Sequence, residues 1–130
     1  MIVVDTSVWV AAGRRPYVDR VLQSLLDADE VAVALPVRLE LWAGVARQDR
    51  KAHRAAFGAL PQLVPTEETW QPLTEWIARA ADADERFTVT DLLIASLTSE
   101  IGGLVWSLDK DFERMEKLGF VSLYDPPDVH

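Results

Sequence analysis

The chain contains no cysteine, which excludes disulfide staples and thiolate metal sites and fits a reducing compartment. It has two histidines, His53 in a basic stretch and His130 at the terminus, so a Ser/His/Asp triad would rest on one poorly placed base. Its six glycines form no Gly-x-Gly-x-x-Gly. Gly102-Gly103 follows a helical pattern instead of opening one, which leaves dinucleotide binding without support. No apolar run approaches the ~20 residues needed to cross a bilayer. The first such run meets Asp5 without a basic leader, too early for a signal peptide. A cytoplasmic protein with no membrane association is expected.

Basic residues are also in short supply: 13 Lys and Arg face 21 Asp and Glu, for a formal net charge of −8. That balance argues against broad phosphate binding over the whole surface. It is compatible with an ordinary acidic surface, or with an acidic metal pocket flanked by separate basic patches. Hydrophobic residues, by contrast, make up 49% of 130, enough to bury a core within one domain spanning 1–130. The tail after about Tyr124 holds two prolines and is expected to be loosely ordered.

Along the chain, short β-branched runs alternate with helical patterns. Ile2 to Val4 reads as a buried strand, and Tyr17 to Leu26 as a helix with Val18, Val21, Leu22, Leu25 and Leu26 on one stripe. Val31 to Leu35 is a second strand, and Pro36 opens a helix carrying Val37, Glu40, Leu41, Gly44 and Val45. Arg47 starts a basic helix that continues to Leu60. Leu63-Val64 is a weak third strand, and Thr66 begins a long helix to about Arg86, whose stripe of Leu73, Trp76, Ile77 and Ala80 reads as core or an oligomer face. Leu92 to Ile101 is helical, with Leu93, Ile94, Leu97 and Ile101 inward, and Gly102-Gly103 ends it. Leu104 to Trp106 is a strand, Phe112 to Leu118 a helix, and Val121 to Leu123 a last strand. Strands joined by helices imply right-handed crossovers. The expected fold is α/β: a three-layer α/β/α sandwich with a mostly parallel sheet of about five strands.

On that topology four acids fall at matching places. Asp5 and Asp109 each sit just past a strand, Glu40 follows a strand within about a turn, and Asp91 opens a helix that feeds a strand. The plain reading of each is structural: Asp5 as a turn or cap, Glu40 as a solvated helical glutamate, Asp91 as a first-turn acid stabilised by the helix dipole. Together they could line the crevice where open α/β sheets bind ligands. Four converging carboxylates repel unless a cation is present, and hard oxygen donors suit Mg²⁺ or Mn²⁺, one or two per site. Such ions activate water and neutralise charge during phosphodiester cleavage. Thr6 and Ser7 are placed to orient Asp5 or a water.

Four segments, VVDTSVWVA at the start, LELWAGV, TDLLIAS and SLDKDF, resemble PIN domains in family order from Met1 to about Leu123. More narrowly, they resemble VapC-type ribonuclease toxins of type II toxin–antitoxin pairs. The resemblance implies a PIN-like fold and a metal-dependent endoribonuclease acting on single-stranded regions of RNA. By motif, the acidic quartet that binds Mg²⁺ or Mn²⁺ would be Asp5, Glu40, Asp91 and Asp109. Ser107 would support the site, and Asp111 would substitute for or assist Asp109. Leu108 stands where relatives often carry a basic residue, removing one phosphate contact. A homodimer and a cognate VapB-like antitoxin are the implied partners.

Arg14, Arg15, Arg38 and the cluster Arg47, Arg50, Lys51 and Arg54 are available to RNA phosphates or to an antitoxin; most such runs are merely solvated faces. Trp9, Trp42 and Trp106 are more readily read as core than as base-stacking platforms. Two other functions compete with the nuclease. A receiver-like domain phosphorylated on aspartate would need an acid directly after Leu63-Val64, and none is there. A non-catalytic PIN-like scaffold would have no use for an intact quartet.

Overall fold

A computed structural model describes residues 1–127, so His130 lies outside the described residues. Four short strands form one parallel sheet: β1 (Ile2–Val4), β2 (Val31–Ala34), β3 (Gln62–Leu63) and β4 (Leu104–Trp106), in the order β3-β2-β1-β4. The inner strands are runs of apolar residues because both faces are covered, as parallel sheets require. Side chains alternate between the faces. Val3, Ala32 and Val105 join one core; Ile2, Val4, Val31 and Trp106 join the other.

The second core is completed by α1 (Thr6–Ala12) and α2 (Pro16–Asp27), whose Val18, Val21, Leu22 and Leu25 are buried. The first is completed by α3 (Leu35–Ala43), α6 (Leu73–Asp82), α7 (Val89–Glu100) and α8 (Lys110–Lys117), through residues such as Val37, Leu73, Ile94 and Phe112. Two smaller helices, α4 (Arg50–Gly58) and α5 (Glu67–Trp70), sit at the margin, with a 3-10 turn at Arg47–Asp49 before α4. Among the described residues no helix is long and apolar enough to cross a membrane.

Several expected boundaries move. The sheet has four strands among the described residues, not five, because the chain after Gly119 (φ 81) meets β4 only through a bridge between Val105 and Leu123. Glu116 caps that approach by accepting from the Leu123 N–H at 2.8 Å. Helix α3 stops at Ala43, with Gly44 as its cap and Val45 beyond it. Pro72 divides the expected 66–86 helix into α5 and α6, since proline lacks the donor an uninterrupted helix needs. Ile101 is exposed instead of facing inward, and Ile77 lies exposed on α6. The tail is packed as far as it is described: Tyr124 stacks edge-on against Trp106, and the Tyr17 hydroxyl donates to the Pro127 carbonyl.

The joint between β1 and β4 is tight. Gly102 takes a left-handed turn (φ 63) and Gly103 then passes so close that a Cβ there would lie 2.9 Å from the Met1 carbonyl oxygen. Only glycine allows this approach, and it aligns Leu104 N–H with Met1 O at 3.1 Å.

Candidate active site

Because all four strands run parallel, their carboxyl ends share one edge of the sheet. The order β3-β2-β1-β4 places β2 on one side of β1 and β4 on the other. The crevice at the end of β1 is therefore the topological switch point, where open α/β sheets leave room for ligands. Asp5 sits there.

Asp5 is only 7% exposed and occupies the N-cap position of α1, yet its side chain makes no capping bond. Its Oδ2 instead accepts from Ser7 Oγ at 2.7 Å and from Ser107 Oγ at 2.8 Å. Each serine oxygen then accepts a backbone N–H from the β4–α8 loop: Leu108 N–H to Ser7 Oγ and Asp109 N–H to Ser107 Oγ, both 3.0 Å. A buried carboxylate needs such donors. The same four bonds pin the loop carrying Asp109 to the end of β1. Both serines singled out in the sequence thus contact the same oxygen of Asp5, and its Oδ1 stays outside their network.

Thr6 behaves differently. Its Oγ1 is buried without a hydrogen-bond partner, though it lies near enough to the Glu40 carboxylate to favour its charged form. Glu40 is exposed on α3. Partial desolvation and then the negative charge of Asp5 raise its pKa above the usual range.

Asp91 lies in the first turn of α7, where Thr88 caps the helix by accepting from its N–H at 3.1 Å. Burial pushes its pKa up to about 6, and Asp5, Asp109 and Glu40 each add to the rise. Asp91 is therefore within electrostatic reach of the other three expected acids and feels them all. A tighter grouping is formed by Asp91, Asp109 and Asp111, each offering a carboxylate oxygen within 4.8 Å of the others. Asp5 and Glu40 are outside that trio.

Asp109 and Asp111 stand together at the start of α8. Asp109 caps the helix, its Oδ1 accepting from Asp111 N–H at 2.9 Å. Asp111 pairs with Arg114, which also binds Glu85 at 3.0 Å between Nε and Oε2. Neither Arg114 nor Glu85 stood out in the sequence. The Asp111-x-x-Arg114 spacing was a visible clue, whereas Glu85 comes from the α6–α7 loop and only the fold brings it there.

The donor set fits a hard divalent cation. Among the described residues three carboxylates converge, and the Arg114 guanidinium engages only Asp111 of the three. Carboxylate oxygens are ligands that Mg²⁺ and Mn²⁺ prefer.

The basic candidates divide by position. Arg14 and Arg15 are exposed between α1 and α2. Arg38 is tied to Gln62 at 2.7 Å. Arg47, Arg50, Lys51 and Arg54 share one shallow groove on α4. Trp106 is core, Trp9 is half-buried with its indole N–H on Val4 O at 3.2 Å, and Trp42 is half-buried beneath the Arg54 guanidinium. No acid follows β3, where Val64 and Pro65 stand, so the receiver arrangement is absent.

A parallel α/β sheet with an acidic crevice at its switch point defines the class, and residues 2–118 match the PIN domain family. The chain belongs to that family. Over 117 residues it is 30% identical to the ribonuclease VapC18 of Mycobacterium tuberculosis, covering 86% of this chain and 85% of that protein. Its fold is similar to that of VapBC-1 from nontypeable Haemophilus influenzae, with a TM-score of 0.77 at 15% identity over 96% of this chain and 98% of that one. It is likewise similar to VapC20 of M. tuberculosis, described as a Sarcin-Ricin loop cleaving toxin, with a TM-score of 0.65 at 22% identity over 96% and 100% of the two chains.

Proposed function

We propose that this protein is a Mg²⁺- or Mn²⁺-dependent endoribonuclease that cleaves phosphodiester bonds in single-stranded regions of RNA. In this reading it is the toxin of a toxin–antitoxin pair, a homodimer silenced by a cognate VapB-like antitoxin. The observation that carries the proposal is the convergence of the Asp91, Asp109 and Asp111 carboxylates within 4.8 Å, beside a buried Asp5 and a Glu40 that both raise the pKa of Asp91. The kinship with ribonuclease VapC18 supports it.

Asp91 and Asp109, with Asp5, would hold the cation, and Glu40 and Asp111 would complete or adjust the donor set. When bound, the ion lowers the pKa of an attacking water and neutralises charge growing on the phosphodiester. The protein's own part is positional. Ser7 and Ser107 fix the rotamer of Asp5 through Oδ2, and the same hydroxyls hold the backbone of Leu108 and Asp109. Asp109 in turn orders the first turn of α8, which carries Asp111. Exposed Glu40 stands on the solvent side, where RNA and a proton acceptor for water can meet. Leu108, 44% exposed, offers no charge to a phosphate, leaving that role to arginines further out.

The test is cleavage of a single-stranded oligoribonucleotide by the purified protein. Mg²⁺ or Mn²⁺ should support cleavage and EDTA should abolish it. Cleavage unaffected by EDTA, or none with any divalent ion, would overturn the proposal.

A further inference from the structure

Helix α4 buries no residue completely. It is held to the domain by an aromatic stack: His53 lies against Phe57 at 4.4 Å, Phe57 against Trp9 at 4.8 Å, and Trp42 against His53 at 5.8 Å. The Arg54 guanidinium lies over the Trp42 ring, 5.0 Å from its centroid. Packing alone accounts for Phe57 and Trp9. It leaves three features unexplained on the outer side of the stack.

The first is a pocket of about 180 Å³ lined by Arg38, Leu39, Trp42, His53 and Arg54. An apolar cavity of ~150 Å³ holds one benzene ring, so this space suits a single planar ring system. The second is His53 Nε2, a buried atom with no hydrogen-bond partner on a residue of the pocket wall. Desolvation, helped by the Arg38 charge, lowers the imidazole pKa. Its ring forms one wall of the pocket beside Trp42. The third is continuity with charge. Arg54 belongs both to this pocket and to the basic groove of Arg47, Arg50 and Lys51, which stands out on a protein of net charge −8.

Position links these features to the acids. Trp42 and Arg38 are four residues apart and share a face of α3. Glu40, between them in sequence, lies on the opposite flank at 100° per residue. One helix, about 10 Å across, separates the pocket from the acidic crevice, a span that a short single strand can bridge.

Resting on the nuclease reading, we infer that this pocket takes one unstacked base of a single-stranded RNA, with the neighbouring phosphates on the α4 groove. Aromatic and guanidinium planes supply the stacking surface, which accepts any base. His53 contributes its ring to the pocket wall. Duplex RNA, whose bases are not free to enter, is excluded.

The test uses the full chain carrying Asp5→Asn, so that binding is read without cleavage, and a fluorescein-labelled single-stranded 12-mer oligoribonucleotide followed by anisotropy. In that background Trp42→Ala should weaken binding about tenfold, in line with the usual loss per stacked base. Trp42→Phe, which keeps a ring, should lose much less. Arg54→Gln, on an exposed helix face, should weaken single-strand binding with little change in the melting temperature, and a blunt 12-base-pair RNA duplex should bind equally to the Trp42 variants. Equal affinity of Trp42→Ala and Trp42→Phe for the single strand would overturn the inference and leave the stack as the anchor of α4. A pocket that instead receives a peptide of a protein partner would give the same equal affinities, and these would overturn the inference as well. Failure of the wild type to cut RNA would count against the nuclease reading alone, since the binding comparison does not depend on it.

Discussion

Replacing Ser107 with alanine isolates the network that joins Asp5 to the β4–α8 loop. The hydroxyl donates to Asp5 Oδ2 at 2.8 Å and accepts from Asp109 N–H at 3.0 Å. A hydrogen bond to a charged group contributes ~1.5–3 kcal/mol, because a buried carboxylate that loses a donor keeps its desolvation cost. The Asp109 N–H is exposed once freed and recovers its bond from water, so it adds little. Ser107→Ala should therefore cost about 2 kcal/mol, and Ser7→Ala, whose hydroxyl makes the equivalent pair of bonds, about the same.

The double variant is more informative. It leaves Asp5, 7% exposed, with neither hydroxyl, so the loss should exceed the sum of the singles by ~1 kcal/mol or more. In an Asp5→Asn background each serine then makes only a neutral hydrogen bond, whose value is ~1 kcal/mol, and the coupling should vanish. Urea denaturation with a constant m value gives these differences directly. Additive single costs below ~0.5 kcal/mol, the bottom of the range for any hydrogen bond, would refute the claim that the two hydroxyls hold Asp5.

Other outcomes follow from individual residues. With metal withheld, Asp91 should make the protein less stable as pH rises. Its folded pKa of about 6 lies above the ordinary value of 3.8, so the native state binds more protons between them. The stabilisation is complete below 3.8 and is lost as pH passes through about 6; at most ~3 kcal/mol is involved, reduced by solvent screening of a half-exposed group. Melting curves should show that slope, and Asp91→Asn should flatten it. Mg²⁺ should raise the melting temperature most above a pH of about 6, where Asp91 is ionised. Gly103→Ala should destabilise by ~1–3 kcal/mol, the usual cost of overpacking, because its Cβ would press on Met1 O. Arg114→Gln should cost less than ~1 kcal/mol in a melt, since its pairs with Asp111 and Glu85 are largely solvated. A larger loss would mean that Arg114 holds α8 in place.

Much of the fold was legible because the signals were local. The strands Ile2 to Val4, Val31 to Ala34 and Leu104 to Trp106 are short runs of apolar, mostly β-branched residues, and Pro36 and Gly102 mark helix ends by chain geometry alone. The misreadings came from competition between local pattern and backbone chemistry. The stripe from Leu73 to Ala80 suggested one helix from Thr66, but Pro72 breaks it. Val121 to Leu123 looks like a strand, yet the turn at Gly119 brings only Leu123 into register with Val105. Among the acids, Asp5 was marked by its place at the end of β1. The sequence marked Asp111 only as a substitute for or helper of Asp109; that it joins Asp91 and Asp109 in a trio that leaves Asp5 out depends on how α8 leaves its cap at Asp109. The stack of Trp42, His53 and Phe57 was hidden for a related reason: His53 and Phe57 sit on a helix whose composition reads as a solvated basic face.

The most direct test of the proposed chemistry is RNA cleavage by Asp5→Asn, measured with Mg²⁺ beside the wild type and with circular dichroism to confirm the fold. Asparagine keeps an acceptor for Ser7 and Ser107 but removes the charge at the switch point. The expected result is a folded protein with no metal-dependent cleavage and no growth arrest on expression. A folded Asp5→Asn protein that cuts RNA at the wild-type rate would contradict it.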